Sequence, residues 1–246
     1  MPGASLLREA RPVHSVPGRD RTRALARPAS CRKSGCPVHA PLATLDRVNT
    51  PYRQIRAAYT ADSITVYQAY DPAISEPAIA ARRFVEPFRR NRMTWIKPSF
   101  LWMMYRSGWA GKPGQTRVLA IEITRSGFEW ALAGACLSHC EPGADRAAWS
   151  RRLRRSPVRL QWDPERGPRH NALPYRSVQI GLSGEAVDRY VDEWTLDIAD
   201  VTARVHGIHA ALRAGEDVTG SLPAERPYPL PADLAEIIGA TRKPPA

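Results

Sequence analysis

At 246 residues the chain is long enough for one good-sized domain with a buried core, plus a tail. Of the net charge of +12, half lies between Met1 and Arg47, where nine Lys/Arg face three Asp/Glu; the rest is only mildly basic, so the pI near 10.1 does not by itself imply a polyanionic partner. Four cysteines exclude a disulfide scaffold, no apolar run approaches the roughly 18 residues of a membrane span, and no secretory signal is expected, so a cytoplasmic protein with reduced thiols is.

Residues 1–46 are expected to form a disordered basic tail. The stretch "RPVHSVPGRDRTRALARPASCRKSGCPVHAP" lacks hydrophobic periodicity and cannot bury enough surface to offset its ordering entropy. Composition changes at "VNTPYRQIRAAY". Residues 47–215 are expected to fold as a single α+β domain, a mixed or antiparallel sheet packed by several helices. Residues 63–70, "SITVYQAY", set Ile64, Val66 and Gln68 against Thr65, Tyr67 and Ala69, the period of a strand. A short helix is expected over 76–84, with Pro77 in its first turn. Lys97-Pro98 leads into Ser99, a fair N-cap for a helix that Gly108 ends. Residues 116–125 alternate as a strand, and 127–140, "GFEWALAGACLSHC", read as a helix.

"VRLQWDPER" and "YRSVQIGL" read as strands joined by a polar loop, an antiparallel pair. The strongest helical signal runs over 184–215. There Val187, Tyr190, Val191, Trp194, Ile198, Val201, Val205 and Ile208 keep a 3.6-residue stripe, which predicts one long C-terminal helix. Residues 216–246 are a Pro-rich linker with a short helix at 233–238.

With "RQIRAAY", "VYQAY", "RMTWIKPSFLWMMYRSGW", "GQTRVLAIEITRSGFEWAL", "VRLQWDPER" and "YRSVQIGL" on the page, the chain resembles a bacterial and fungal family, domain of unknown function 4291, from about Tyr52 to Leu212. The first 46 residues lie outside the likeness. The resemblance implies no activity, cofactor or site residue that can be carried over.

The string "RMTWIKPSFLWMMYRSGW", residues 92–109, gathers three of the seven Trp and three of the four Met beside Arg92, Lys97 and Arg106. Leu101, Met104 and Tyr105 share one helical face, as core packing requires, with Met filling gaps. Cations in such a segment are costly to bury without an anion. The segment is therefore expected to combine a buried helix with the border of a polar pocket. Thr94, Lys97 and Ser99 near the helix N-terminus suit a phosphate, with Trp95 or Trp102 stacking a base. Arg53 and Arg56 offer guanidinium forks; Tyr67 and Gln68, then Arg176 and Gln179, extend the polar set. Lys97 and Arg92 are expected to face the pocket, joined by Arg56, Tyr67 or Gln68 and by Arg176 or Gln179. Each group also has a plain structural reading, as surface arginines, core aromatics, or turn chemistry at Asp163-Pro164.

No metal is expected. Cys136, His139 and Cys140, and separately Cys31, Cys36 and His39, lack the paired spacing of a zinc site. No P-loop, G-x-S-x-G, H-E-x-x-H or dinucleotide fingerprint occurs. Three classes of function stay open. One is an enzyme acting on a nucleotide or a nucleic-acid end, in which Glu129 or Glu193 could act as acid or base and no catalytic residue is assigned. The others are a non-catalytic RNA- or DNA-binding module and a structural or interaction domain. No motif indicates a cofactor or an oligomeric state.

Overall fold

The structure, a computed structural model, describes residues 50–240; the tail expected over 1–46 lies outside them. The described residues form a mixed α+β fold of seven α-helices and three sheets. The smallest sheet pairs β1 (Arg56–Ala57) with β9 (Arg226–Pro227). A second is antiparallel, with β4 (Arg117–Thr124) between β2 (Ser63–Tyr70) and β8 (Thr195–Asp200). Both of its faces are covered. Ile64, Val66, Leu119, Ile121 and Ile123 enter the main core. On the other face Tyr67 and Val118 meet α2 (Phe100–Ser107) and α6 (Thr202–Arg213) through Phe100, Met103, Met104, Val205 and Ile208.

The third sheet has the order β3 (Thr94–Ile96), β7 (Ala172–Leu182), β6 (Val158–Arg166), β5 (Ala135–Leu137). As expected, β6 and β7 pair antiparallel, from Val158↔Leu182 to Arg166↔Ala172. β5 runs parallel to β6, and a parallel pair needs a crossover. Helix α4 (Arg146–Arg155) supplies it, started by Asp145, whose carboxylate accepts from Ala147 N and Ala148 N. It was not expected from the sequence.

The two larger sheets meet where Tyr67 N donates to Lys97 O at 2.7 Å. Beside this bridge the buried Gln68 amide donates to Thr94 Oγ1 (2.6 Å) and Trp95 O (3.1 Å) and accepts from Tyr190 Oη (2.8 Å). A buried polar group is costly once its partner is removed. Gln68→Leu strands several at once and is expected to cost roughly 2–4 kcal/mol. The measurement is the urea midpoint at unchanged m-value; a loss below about 0.5 kcal/mol would mean that these bonds do not hold the sheets together.

Three expectations need correction. α1 spans Pro72–Ala81, not 76–84: Asp71 caps it by accepting from Ala73 N, Pro72 sits in its first turn, and Pro77 falls inside. α3 (Arg125–Ala133) stops at Gly134, and residues 135–137 leave the expected helix to become β5. The free edge of β6 offers that segment a hydrogen-bonding partner that its composition does not reveal. The long C-terminal helix is absent. Residues 184–215 divide into α5 (Glu185–Arg189), a π-helical turn (Tyr190–Trp194), β8 and α6. Tyr190, Val191, Trp194 and Ile198 are all buried, but a 3.6-residue stripe does not register a change of backbone between Trp194 and Ile198. The edge of β4 decides it, pairing from Ile123↔Thr195 to Leu119↔Asp200. The terminal helix α7 (Ala232–Ile237) lies within a residue of the expected position.

Candidate functional site

Local sequence places Lys97 with little freedom. Pro98 keeps the residue before it extended, so Lys97 prolongs β3. Ser99 then starts α2, its hydroxyl accepting from Trp102 N at 3.2 Å, and Gly108, at φ 60°, ends it in the left-handed conformation that glycine favours. The outcome is a lysine 6 % exposed. Its Nζ donates to Trp95 O at 3.2 Å and sits 5.2 Å from the centre of the Trp102 ring. Burial, and then the nearby Arg106 guanidinium, pull its amine down to about 7, with Asp163 opposing.

Lys97 lines a cleft of about 670 Å³ between β2, the 87–97 segment and α2. Arg89, Arg92 and Arg106 line it too, and no Asp or Glu does. Among the described residues no carboxylate lies within 4.0 Å of any of these four cations. Trp95 forms part of the wall, half-buried. A Cβ at Gly181 would stand 2.9 Å from its ring and from Met93 Sδ, so the glycine inside β7 is what lets the indole lie against the strand. A glycine within a strand often marks such a close approach, and it is the signal in the sequence that could have located this wall.

The carboxylate whose charge opposes the lowering of the Lys97 amine is Asp163, which the sequence reads as turn chemistry at Asp163-Pro164. Asp163 lies within β6, not in a turn, and accepts from Gln161 Nε2 at 2.8 Å and Gln179 Nε2 at 2.7 Å. Gln161 and Gln179 face each other across the β6–β7 ladder. The i, i+2 spacing of Gln161 and Asp163 puts both on one side of the sheet.

Of the residues singled out from sequence, Gln68, Arg92, Trp95 and Lys97 line the cleft, together with Thr94; Gln179 does not line it and donates to Asp163. The others are engaged elsewhere. Arg53 forms an ion pair with Glu141 at 2.9 Å and donates to Gly239 O. Arg176 donates to Tyr52 Oη and to Trp162 O, and Arg56 to Gln54 and the Glu225 carbonyl. Tyr67 packs edge-on against Phe100, its hydroxyl pushed well above the usual range by burial. Trp102 is buried beneath Lys97.

Ser99 donates to Glu165 Oε1 at 2.9 Å, and Glu225 Oε1 accepts from Phe100 N at 2.6 Å. The N-terminus of α2, expected to suit a phosphate, is thus filled by the chain's own carboxyl groups. Burial pushes Glu225 up to about 8, against the Phe100 N–H, and raises Glu165 as well.

Glu129 accepts from Tyr228 Oη and Glu193 pairs with Arg189; neither lines the cleft. Cys136 is buried in β5 and Cys140 half-buried, both as free thiols. No group of three or more His, Cys, Asp or Glu among the described residues is placed to hold a metal ion. Cys31, Cys36 and His39 lie outside those residues. No helix among the described residues is long and apolar enough to cross a membrane.

Fold and cleft together define an α+β protein with a basic, aromatic-walled depression where its two larger sheets meet. The chain belongs to the family described as Domain of unknown function (DUF4291), whose model matches residues 54–228. No curated protein matches it.

Proposed function

We propose that the cleft binds a phosphate-bearing ligand with a flat ring, a nucleotide or a nucleic-acid end, and that the protein acts on it as an enzyme. The observation that carries this reading is the gathering of Arg89, Arg92, Lys97 and Arg106 around one depression with no acidic lining. Cations so placed repel one another until an anion arrives, and charge-assisted hydrogen bonds from Arg are among the stronger ones available. The Trp95 indole offers the ring a stacking surface. Lys97, whose amine sheds its proton near neutrality, is the cleft residue suited to exchange a proton with a bound substrate. Asp163, held by Gln161 and Gln179, acts on this amine through its charge. A non-catalytic nucleic-acid-binding role would use the same cations without needing a lysine that titrates near neutrality.

Calorimetric titration with a nucleoside monophosphate, and with the same nucleoside lacking phosphate, tests the reading. The monophosphate should bind and the nucleoside should not. Arg92→Gln together with Arg106→Gln should weaken binding by about 100-fold or more, since hydrogen bonds to charged groups contribute roughly 1.5–3 kcal/mol each. Equal affinity of the variant and the parent chain would remove the cleft as the phosphate site.

A further inference from the structure

Helix α4 carries more charge than its structural task explains. That task is to cover the outer edge of β5, a protection that sheet edges need. Trp149 Nε1 donates to Leu137 O at 2.9 Å and Arg152 to Ala135 O at 2.8 Å, which satisfies two carbonyls of that strand. Arg146, Arg151, Arg154 and Arg155 are exposed and contribute nothing to that edge. Among the described residues none of the five arginines has a carboxylate within 4.0 Å. The helix dipole favours cations in the last turn, which accounts for Arg154 and Arg155 but not for Arg146 or Arg151.

Three of the five arginines share one groove. Between the end of α3 and α4 lies a groove of about 520 Å³, lined by Arg151, Arg152, Arg155 and Ser156 and by no acid. The neighbouring flank of α4, which shares Ala148 and Arg152 with this groove, includes Glu141, Asp145, Asp233 and Glu236. A polyanion is therefore drawn to the groove of Arg151 and Arg155 and away from the acids beside it. The large apolar side chains of α4, Trp149 and Leu153, are half-buried, which leaves no large apolar side chain exposed for a membrane or for the dry centre of a protein interface.

The third sheet links this helix to the cleft. Trp95 stands opposite Gly181 in the ladder, Gly181 opposite Arg159, and Arg159 beside Cys136, one row from β3 to β5. Such a row spans about 14 Å at the usual spacing of strands. Arg159 is half-buried with its Nη1 unpartnered. It and Arg152 are the two guanidinium groups that act on the Cys136 thiol, so one further cation lies between the cleft wall and α4.

We infer that the substrate is a nucleic-acid strand and not a free nucleotide, its terminal phosphate in the cleft and its phosphodiester backbone on the arginine groove of α4. This rests on reading the cleft as a phosphate site. The strand's charge meets Arg151 and Arg155, and the salt dependence of binding should report them.

Fluorescence anisotropy with a 5′-phosphorylated single-stranded oligonucleotide tests this, alongside calorimetry with the corresponding monophosphate. Arg151→Gln with Arg155→Gln leaves the Arg152 bond to β5 intact. It should weaken the oligonucleotide by about tenfold or more and lower the salt slope by about 1.4, with the monophosphate unaffected. An oligonucleotide that binds this variant as it binds the parent chain overturns the assignment. So does poly-glutamate of equal charge competing as well as the oligonucleotide. If the monophosphate fails to bind while the α4 variant still loses the oligonucleotide, the groove stands and the cleft reading falls.

Discussion

Lys97→Met is expected to stabilise the protein at pH 7 by about 3 kcal/mol while weakening its hold on a phosphate by tenfold or more. The lysine is buried with no carboxylate within 4.0 Å among the described residues, and its amine is pulled from 10.5 to about 7. At roughly 1.4 kcal/mol per pH unit this corresponds to about 4–5 kcal/mol of cost to the folded state at or below neutrality. The bond to Trp95 O and the contact with the Trp102 ring, lost in the variant, offset about 1–2 kcal/mol of that gain. Methionine keeps the length of the chain and opens little cavity.

The sign follows from proton counts. Between about pH 7 and 10.5 the unfolded chain holds a proton on this amine that the folded chain does not, so the parent protein gains stability as pH rises through that window. The gap between variant and parent should shrink from pH 7 upward and stay level below it. Urea unfolding of both proteins from pH 6 to pH 10 reads this directly. A variant that is less stable at pH 7, with a gap independent of pH, would show that the lysine is solvated or paired. A bound phosphate should restore the proton, so affinity should fall as pH passes 7. A residue that weakens the fold and serves the cleft is explained by the cleft.

Gly127→Ala should destabilise the protein by about 2 kcal/mol or more, although Gly127 lies within α3. Helix propensity alone favours alanine by about 1 kcal/mol. Against that, the added Cβ would stand 2.3 Å from Trp194 Cγ, inside the face of the indole. Trp194 is 5 % exposed and packed in the main core, so the ring has nowhere to go, and overpacking of this kind costs about 1–3 kcal/mol, occasionally more. The clash should win. Thermal unfolding of the variant decides it; a higher midpoint would mean that Trp194 does not rest on α3, and with it would go the turn that ends α5. Trp130, in contact with the Trp194 ring, should change its fluorescence in the same variant.

The cleft was partly legible in residues 92–109, because their positions depend on local rules. Pro98 fixes the exit of β3, Ser99 and Gly108 bound α2, and Lys97, Arg92 and Trp95 fall on the cleft side of that unit. The arginine forks were misleading for a physical reason. Arg53 finds Glu141, 88 residues away, and a guanidinium in sequence carries no record of which carboxylate folding will bring to it. Asp163 was hidden by Pro164, a pair that reads as a turn until the partner strand shows it to be part of a ladder.

What the sequence determined alone were the features that need only near neighbours: the alternation of β2 and β4, the caps of α2, the β6–β7 pair, and the cations beside the aromatic string. Tertiary structure decided where backbones changed partner. β8 interrupts what periodicity reads as one helix, and β5 ends another, because free edges of β4 and β6 offered hydrogen bonds from across the fold. A hydrophobic stripe measures which side chains are buried, and burial is indifferent to whether the backbone beneath satisfies its own N–H and C=O groups or those of a distant strand.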